Sequence, residues 1–184
     1  MDMHLKETFV SGELAYDGHF LKVQRDQVVL PDGKLTEREY IRHPGAVVII
    51  PLFSDGSVLM ERQFRYPLNR VFIEFPAGKI DPGEDPLVCA KRELLEETGY
   101  TAGSWQFVCT IHNAIAYADE HLDIFLARDL QPGQAQLDDE EFLETYQAPF
   151  QQLLEGVKCG EITDVKTVIG IFWLEKILQG SWVL

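Results

Sequence analysis

The chain is short of cysteine, of basic residues and of long apolar runs. Its three cysteines, Cys89, Cys109 and Cys159, are odd in number and far apart. That spacing argues against a disulfide framework or a thiolate zinc site, and reads as reduced thiols of a cytoplasmic protein. Only 16 Lys and Arg stand against 30 Asp and Glu, a formal net charge of −14. Nucleic acid and anionic membrane both call for a basic patch, so neither is expected as a partner. The longest apolar run, residues 46–53, contains Pro51 and is too short to cross a bilayer; it reads as a buried strand. The opening Met-Asp-Met-His-Leu-Lys-Glu is polar and lacks a signal-peptide apolar segment. Internal repeats and low-complexity tracts are lacking as well.

What is present suffices for one packed domain with a small appendage: 184 residues, 46% of them hydrophobic. Residues 7–42 read as short strands broken by turns at Asp17-Gly18 and Pro31-Asp32-Gly33. Residues 46–53 and 57–64, joined through Asp55-Gly56, read as a central hairpin. Further strands are expected at 71–75, 105–112, 122–127 and 142–146. Two helices close the chain, near 150–157 and 164–178, the second with Val165, Val168, Ile169 and Phe172 as its core stripe. This is an α/β pattern, helices packed on a mixed sheet, with residues 1–43 as a preceding β element and 44–184 as the main domain.

The most informative segment runs from Gly78 to Tyr100. Asp85 is a good N-cap and Pro86 suits the first helical position, where its missing N–H is no loss. Leu87, Ala90 and Leu94 recur at helical spacing as a core face, and Gly99 ends the helix. Glu93 and Glu97 lie one turn apart with Glu96 beside them, and like charges so placed repel. Taken alone, an acidic helix face is usually a solvated one. The glycines, Glu84 and Arg92 in register favour another reading: a divalent cation relieves the repulsion, and hard oxygen donors select Mg²⁺ or Mn²⁺ over zinc. Bound cations and a few arginines would also let so acidic a chain accept an anionic substrate.

Gly78, Glu84, Arg92, Glu93, Leu94, Glu96, Glu97, Gly99 and Tyr100 fit the Nudix box at every specified position. The flanking stretches beginning Tyr40-Ile-Arg-His-Pro-Gly-Ala46, Arg62-Gln-Phe-Arg65, Ile73-Glu74-Phe-Pro76-Ala77 and Gly160-Glu-Ile-Thr-Asp164-Val-Lys166-Thr167 resemble the ADP-ribose pyrophosphatase branch of that family. The resemblance covers residues 40–177. It implies a Nudix α/β/α sandwich and a homodimer whose N-terminal strands help build the partner's active site. The implied activity is Mg²⁺-dependent hydrolysis of a nucleoside diphosphate sugar, ADP-ribose giving AMP and ribose 5-phosphate. Another sugar nucleotide such as GDP-mannose, a dinucleotide, or a silent ADP-ribose-sensing domain are the alternatives.

The same resemblance implies roles for single residues. Glu93, Glu97 and Glu96 hold metal, joined by the Ala77 carbonyl, and Arg92 orients a metal-binding glutamate. Glu141, with Glu140 second, takes the proton of the attacking water, although Asp138-Asp139-Glu140-Glu141 also reads as an acidic surface loop. Arg65 contacts the diphosphate, for which a guanidinium fork is suited. Strand alternation sends Arg62 to the opposite face from Arg65, so one of the two reads equally as a surface charge. Glu74 stands near the substrate in relatives, or pairs with a neighbouring arginine. Glu120 matches a family glutamate after the box, but this chain has His112-Asn-Ala-Ile-Ala-Tyr117-Ala-Asp-Glu120 where a Ser-Pro-Gly loop is usual. His112 and His121 read either as substrate contacts or as structural residues.

Overall fold

The computed structural model describes residues 2–137 and 141–184, which form two compact units. The first comprises the chain up to Pro44 together with residues Ala114–His121. Its three strands, β1 (Thr8–Asp17), β2 (Lys22–Val29) and β3 (Leu35–Arg42), form an antiparallel sheet in chain order. Gly33 takes φ +86° in the turn before β3, the left-handed conformation that favours glycine. Residues 114–121, expected to belong with the main domain, attach here instead. The Ile41 N–H donates to the Tyr117 carbonyl at 2.8 Å, the Asp119 N–H to the Ile41 carbonyl at 3.1 Å, and the His43 N–H to Asp119 Oδ1 at 2.7 Å. These bonds continue the β3 edge, so the loop follows the strand that satisfies its backbone.

The second unit is built around β4 (Ala46–Pro51), every residue of which is buried. It lies parallel to β9 (Leu122–Pro132) and antiparallel to β7 (Ala77–Lys79), and β8 (Tyr100–Ile111) completes the sheet in the order β7-β4-β9-β8. Side chains alternate along β4. Val47 and Ile49 pack with Cys89, Ala90 and Leu94 of α1 (Pro86–Thr98). Val48 and Ile50 face the other way, towards Ile171 and Leu174 of α3 (Val165–Leu178), Leu153 of α2 (Phe150–Cys159) and the three-stranded antiparallel sheet. That sheet has the order β10-β5-β6, from β5 (Ser57–Arg65), β6 (Arg70–Glu74) and β10 (Leu143–Pro149). A strand covered on both faces must be apolar at consecutive positions, which accounts for the 46–51 run.

Two expectations need correction. Strands β4 and β5 are not a hairpin: both edges of β4 are taken by β7 and β9, and β5 turns away at a single bridge, Leu52 to Val58, into the other sheet. The core face of α3 is also broader than expected: Thr167, Gly170, Ile171 and Leu174 are buried and Val168 and Ile169 pack against the same core, but Val165 and Phe172 are 47% and 46% exposed. This helix is apolar nearly all round, so periodicity alone does not select a face. Docking does: a Cβ on Gly170 would lie 2.7 Å from the Phe75 ring, so only a glycine admits that approach.

Thr167 fixes the contact with a hydrogen-bonded chain. The Phe75 N–H donates to its hydroxyl at 3.0 Å, and the hydroxyl donates at 2.7 Å to Asp164, the N-cap of α3. Thr167→Val removes the acceptor while keeping the shape, and leaves a buried N–H unsatisfied. Unfolding free energy should fall by about 1–3 kcal/mol in denaturant titration.

Candidate active site

Helix α1 begins as its sequence dictates. Asp85 Oδ1 accepts from the N–H groups of Leu87 and Val88, at 2.9 and 3.2 Å, and Gly99 closes the helix at φ +75°. The face turned from the core carries Arg92, whose guanidinium joins the preceding loop to three glutamates. Its Nε and Nη2 donate to the two oxygens of Glu84 at 3.0 and 2.9 Å, and its Nη1 to Glu93 and Glu96 at 2.8 and 3.0 Å. This bidentate pair holds the Glu84 carboxyl down at about 2, with the Asp81 N–H bond adding to it. Such a planar fork is not replaceable by lysine.

Glu93 and Glu97 are withdrawn from water. The Glu93 carboxylate lies over Gly78, where a Cβ would come within 1.9 Å of it. Glu97, only 4% exposed, accepts the Ala77 N–H at 3.0 Å. Burial raises the Glu93 carboxyl despite Arg92; burial, then the charges of Glu61, Glu93 and Glu141, raises Glu97 well above the usual carboxylate range. The acidic face of α1 is therefore not a solvated surface.

Sequence reasoning missed Glu61. This residue of β5 is fully buried, and neither carboxylate oxygen has a hydrogen-bond partner among the described residues. Burial pushes its carboxyl up to about 8, against the charge of Lys166 and with a smaller addition from Glu74. Across the β5–β6 ladder lies Glu74, also buried but fully engaged. Arg65 grips it through Nε and Nη2 at 2.7 and 2.8 Å, and Lys166 Nζ bonds the same carboxylate and Asp164. Burial acts to raise Glu74, but these cations outweigh it and hold the carboxyl below its ordinary value. Lys166 carries no signal of its own role: a lysine one residue inside a helix N-terminus gives no hint that it will be buried. Glu61 had a signal, a lone acid ending the buried run Ser57–Met60.

The other expected residues are distributed as follows. Arg62 is on the opposite strand face from Arg65, half exposed, with Nη1 3.3 Å from Glu144. Glu96 is the most exposed of the three helix glutamates. Glu141 is close enough to raise the carboxyls of Glu61, Glu93 and Glu97 through its charge. Glu140 lies outside the described residues. Glu120 belongs to the first unit, 3.8 Å from His43 Nε2. Thus Glu61, Glu74, Arg65, Ala77, Arg92, Glu93, Glu96 and Glu97 lie in the second unit, and Glu120 does not.

A divalent cation fits this donor set, which is all oxygen, carries excess negative charge and includes one buried carboxylate with no hydrogen-bond partner among the described residues. Among the described residues no three acidic, histidine or cysteine side chains already converge on one point. Arg92 and the Ala77 N–H occupy the helix carboxylates instead.

Comparison with known proteins places the chain. Residues 42–166 match the NUDIX domain, and residues 7–41 match the nucleoside diphosphate sugar hydrolase N-terminal domain. The chain belongs to the Nudix family of hydrolases. It is 36% identical over 173 residues to an ADP-ribose pyrophosphatase of Bacillus subtilis (strain 168), covering 93% of this chain and 94% of that one. It is also 36% identical over 172 residues to a methanol dehydrogenase activator of Bacillus methanolicus, covering 92% and 93%. The fold matches the crystal structure of an ADP compounds hydrolase with TM-score 0.86 at 25% identity, over 96% of each chain. No described helix is long and apolar enough to cross a membrane.

Gly78 separates stability from function here. In Gly78→Ala the clash is with the mobile end of Glu93, not with backbone, so the fold should tolerate it. Melting temperature should change little, while Mn²⁺ affinity falls by about tenfold or more, as measured by titration.

Proposed function

We propose that the protein hydrolyses the diphosphate bond of a nucleoside diphosphate sugar with Mg²⁺ as cofactor, and that ADP-ribose, split to AMP and ribose 5-phosphate, is its substrate. The observation that carries this reading is the pair of withdrawn carboxylates, Glu93 over Gly78 and Glu97 on the Ala77 N–H, in a chain so similar to an ADP-ribose pyrophosphatase throughout its length. Glu93, Glu97 and Glu96 hold the cation, with the Ala77 carbonyl. A bound divalent cation neutralises diphosphate charge and lowers the pKa of water. Arg92 keeps Glu93 and Glu96 oriented by its fork. Glu74 sets the plane of the Arg65 guanidinium by holding Nε and Nη2, which leaves Nη1 for a phosphate oxygen. Glu141, with Glu140 as second candidate, accepts the proton of the attacking water. Arg62 and Glu120 remain candidates for contacts at the ends of the substrate.

The protein is a homodimer in this reading, held through its N-terminal sheet. Strand β1 is exposed along all ten residues and presents Phe9, Val10, Leu14 and Tyr16 to solvent. A three-stranded sheet with such a face is too small to be stable without a packing partner. The free thiols of Cys89, Cys109 and Cys159 suit the reducing cytoplasm.

Glu97→Gln should leave the fold intact and lower turnover by about 100-fold or more at saturating Mg²⁺; near-wild-type turnover removes Glu97 from the metal set. Substrate choice is tested by kcat/KM for ADP-ribose, ADP-glucose, GDP-mannose and dGTP at one Mg²⁺ concentration. ADP-ribose should lead. A lead for GDP-mannose sinks the sugar assignment and spares the chemistry, whereas a lead for dGTP overturns the sugar-nucleotide reading. Light scattering should give twice the chain mass at micromolar protein, and a fully active monomer excludes the dimer.

A further inference from the structure

Glu61 poses a problem that the rest of the fold does not solve. A carboxylate taken wholly out of water is normally paired, hydrogen-bonded or replaced by an apolar side chain. Neither oxygen of Glu61 has a hydrogen-bond partner among the described residues. The two cations within electrostatic reach, Arg65 and Lys166, are spent on Glu74, its neighbour across the ladder. Acids also bear on Glu61: Glu74 and Glu141 raise it, its own charge is the chief electrostatic perturbation of Glu97, and Glu141 acts on Glu97 as well. Strand position 61 would accept an apolar residue of the same size at no desolvation cost, as Leu59 and Met60 show in the same strand. Lys166 and Arg65 act on the charge of Glu61 without bonding it, and among the described residues no donor meets either oxygen, which leaves both oxygens for a further positive partner.

We propose that Glu61 is a further carboxylate ligand of the divalent cation, donated by the sheet from outside the signature segment and acting beside Glu97. The inference rests on the metal-dependent reading above. It assigns the metal site two rigid supports, a helix that brings Glu93 and Glu97 and strand β5 that brings Glu61. The cation gives the Glu61 oxygens a bonded positive partner, and the carboxylate holds it from a buried strand. In the metal-free protein the same residue is a source of instability.

The test uses the full chain, with Mn²⁺ as probe. Free Mn²⁺ is followed by electron paramagnetic resonance during titration of wild type, Glu61→Gln and Glu61→Met, and each is melted with and without the metal. Wild type should bind, and both variants should bind about tenfold more weakly or worse. Without metal, Glu61→Met should melt above wild type, because it removes a buried unpaired acid at nearly constant volume; on adding Mn²⁺ it should gain less than wild type does. Wild-type Mn²⁺ affinity in both variants overturns the proposal. So does a Glu61→Gln variant that loses turnover but keeps its Mn²⁺ affinity, which would make Glu61 a proton-transfer group. A metal-free melting temperature lowered in both variants would reveal a structural partner and overturn it too. If wild type itself binds no Mn²⁺, the metal-dependent reading fails beneath it, a result distinct from the others.

Discussion

The second unit is organised around a surplus of negative charge held out of water. Glu61, Glu74 and Glu97 are buried, Glu93 is nearly so, and three cations stand among them, Arg65, Lys166 and Arg92. The cations are not shared evenly. Two converge on Glu74, which is thereby kept ionised, and Arg92 serves the outer side of α1, where Glu84, Glu93 and Glu96 meet. Glu61 and Glu97 are bonded by none of the three, although Lys166 and Arg65 act on Glu61 through their charge. Desolvation of an unpaired carboxylate is among the largest penalties a fold can carry, so the arrangement persists only because the surrounding packing over-determines it.

That packing comes from β4. With both its faces covered, α1 is pressed to one side of the sheet and α3 to the other, and the acidic ends of both meet the strand ends near Glu74–Lys79. Close approach then matters more than side-chain chemistry at two points. Gly78 lets the Glu93 carboxylate rest on the backbone, and Gly170 lets α3 approach Phe75. The Thr167 hydroxyl and the Glu97 carboxylate each capture an N–H, of Phe75 and Ala77, on either side of Pro76. The segment 74–78 is thus clamped between two helices by the residues that also position the acids.

Local chemistry made part of this legible. The N-caps Asp85 and Asp164, the stop at Gly99 and the buried run at 46–51 are encoded within a few residues, and α1 and α3 begin where those caps place them. What depended on partners distant in sequence was not legible. Strand β5 reads as the return arm of a hairpin until β7 and β9 are seen to occupy both edges of β4. The stripe of α3 is ambiguous because the helix is apolar on several sides. The attachment of residues 114–121 to Ile41 rests on backbone bonds that no side chain announces. Glu61 is the instructive case: its significance lies in the absence of a hydrogen-bond partner among the described residues, and that is a property of all the side chains around it.

The pairing of Glu74 explains how a chain of net charge −14 keeps an arginine available for an anion. An unrestrained Arg65 would be free to pair with other carboxylates of this acidic cluster. Glu74 prevents this by taking Nε and Nη2 in a bidentate grip, with its own charge stabilised from behind by Lys166. The guanidinium is left fixed in plane, with one edge uncommitted and the side chain 41% exposed. Arg92 is treated in the opposite manner, its donors being distributed among three glutamates, a carbonyl and a thiol. One arginine is thus consumed in tying the loop to the helix acids and the other left part-exposed with its plane fixed, and the difference between them is set by how many acids each one bonds.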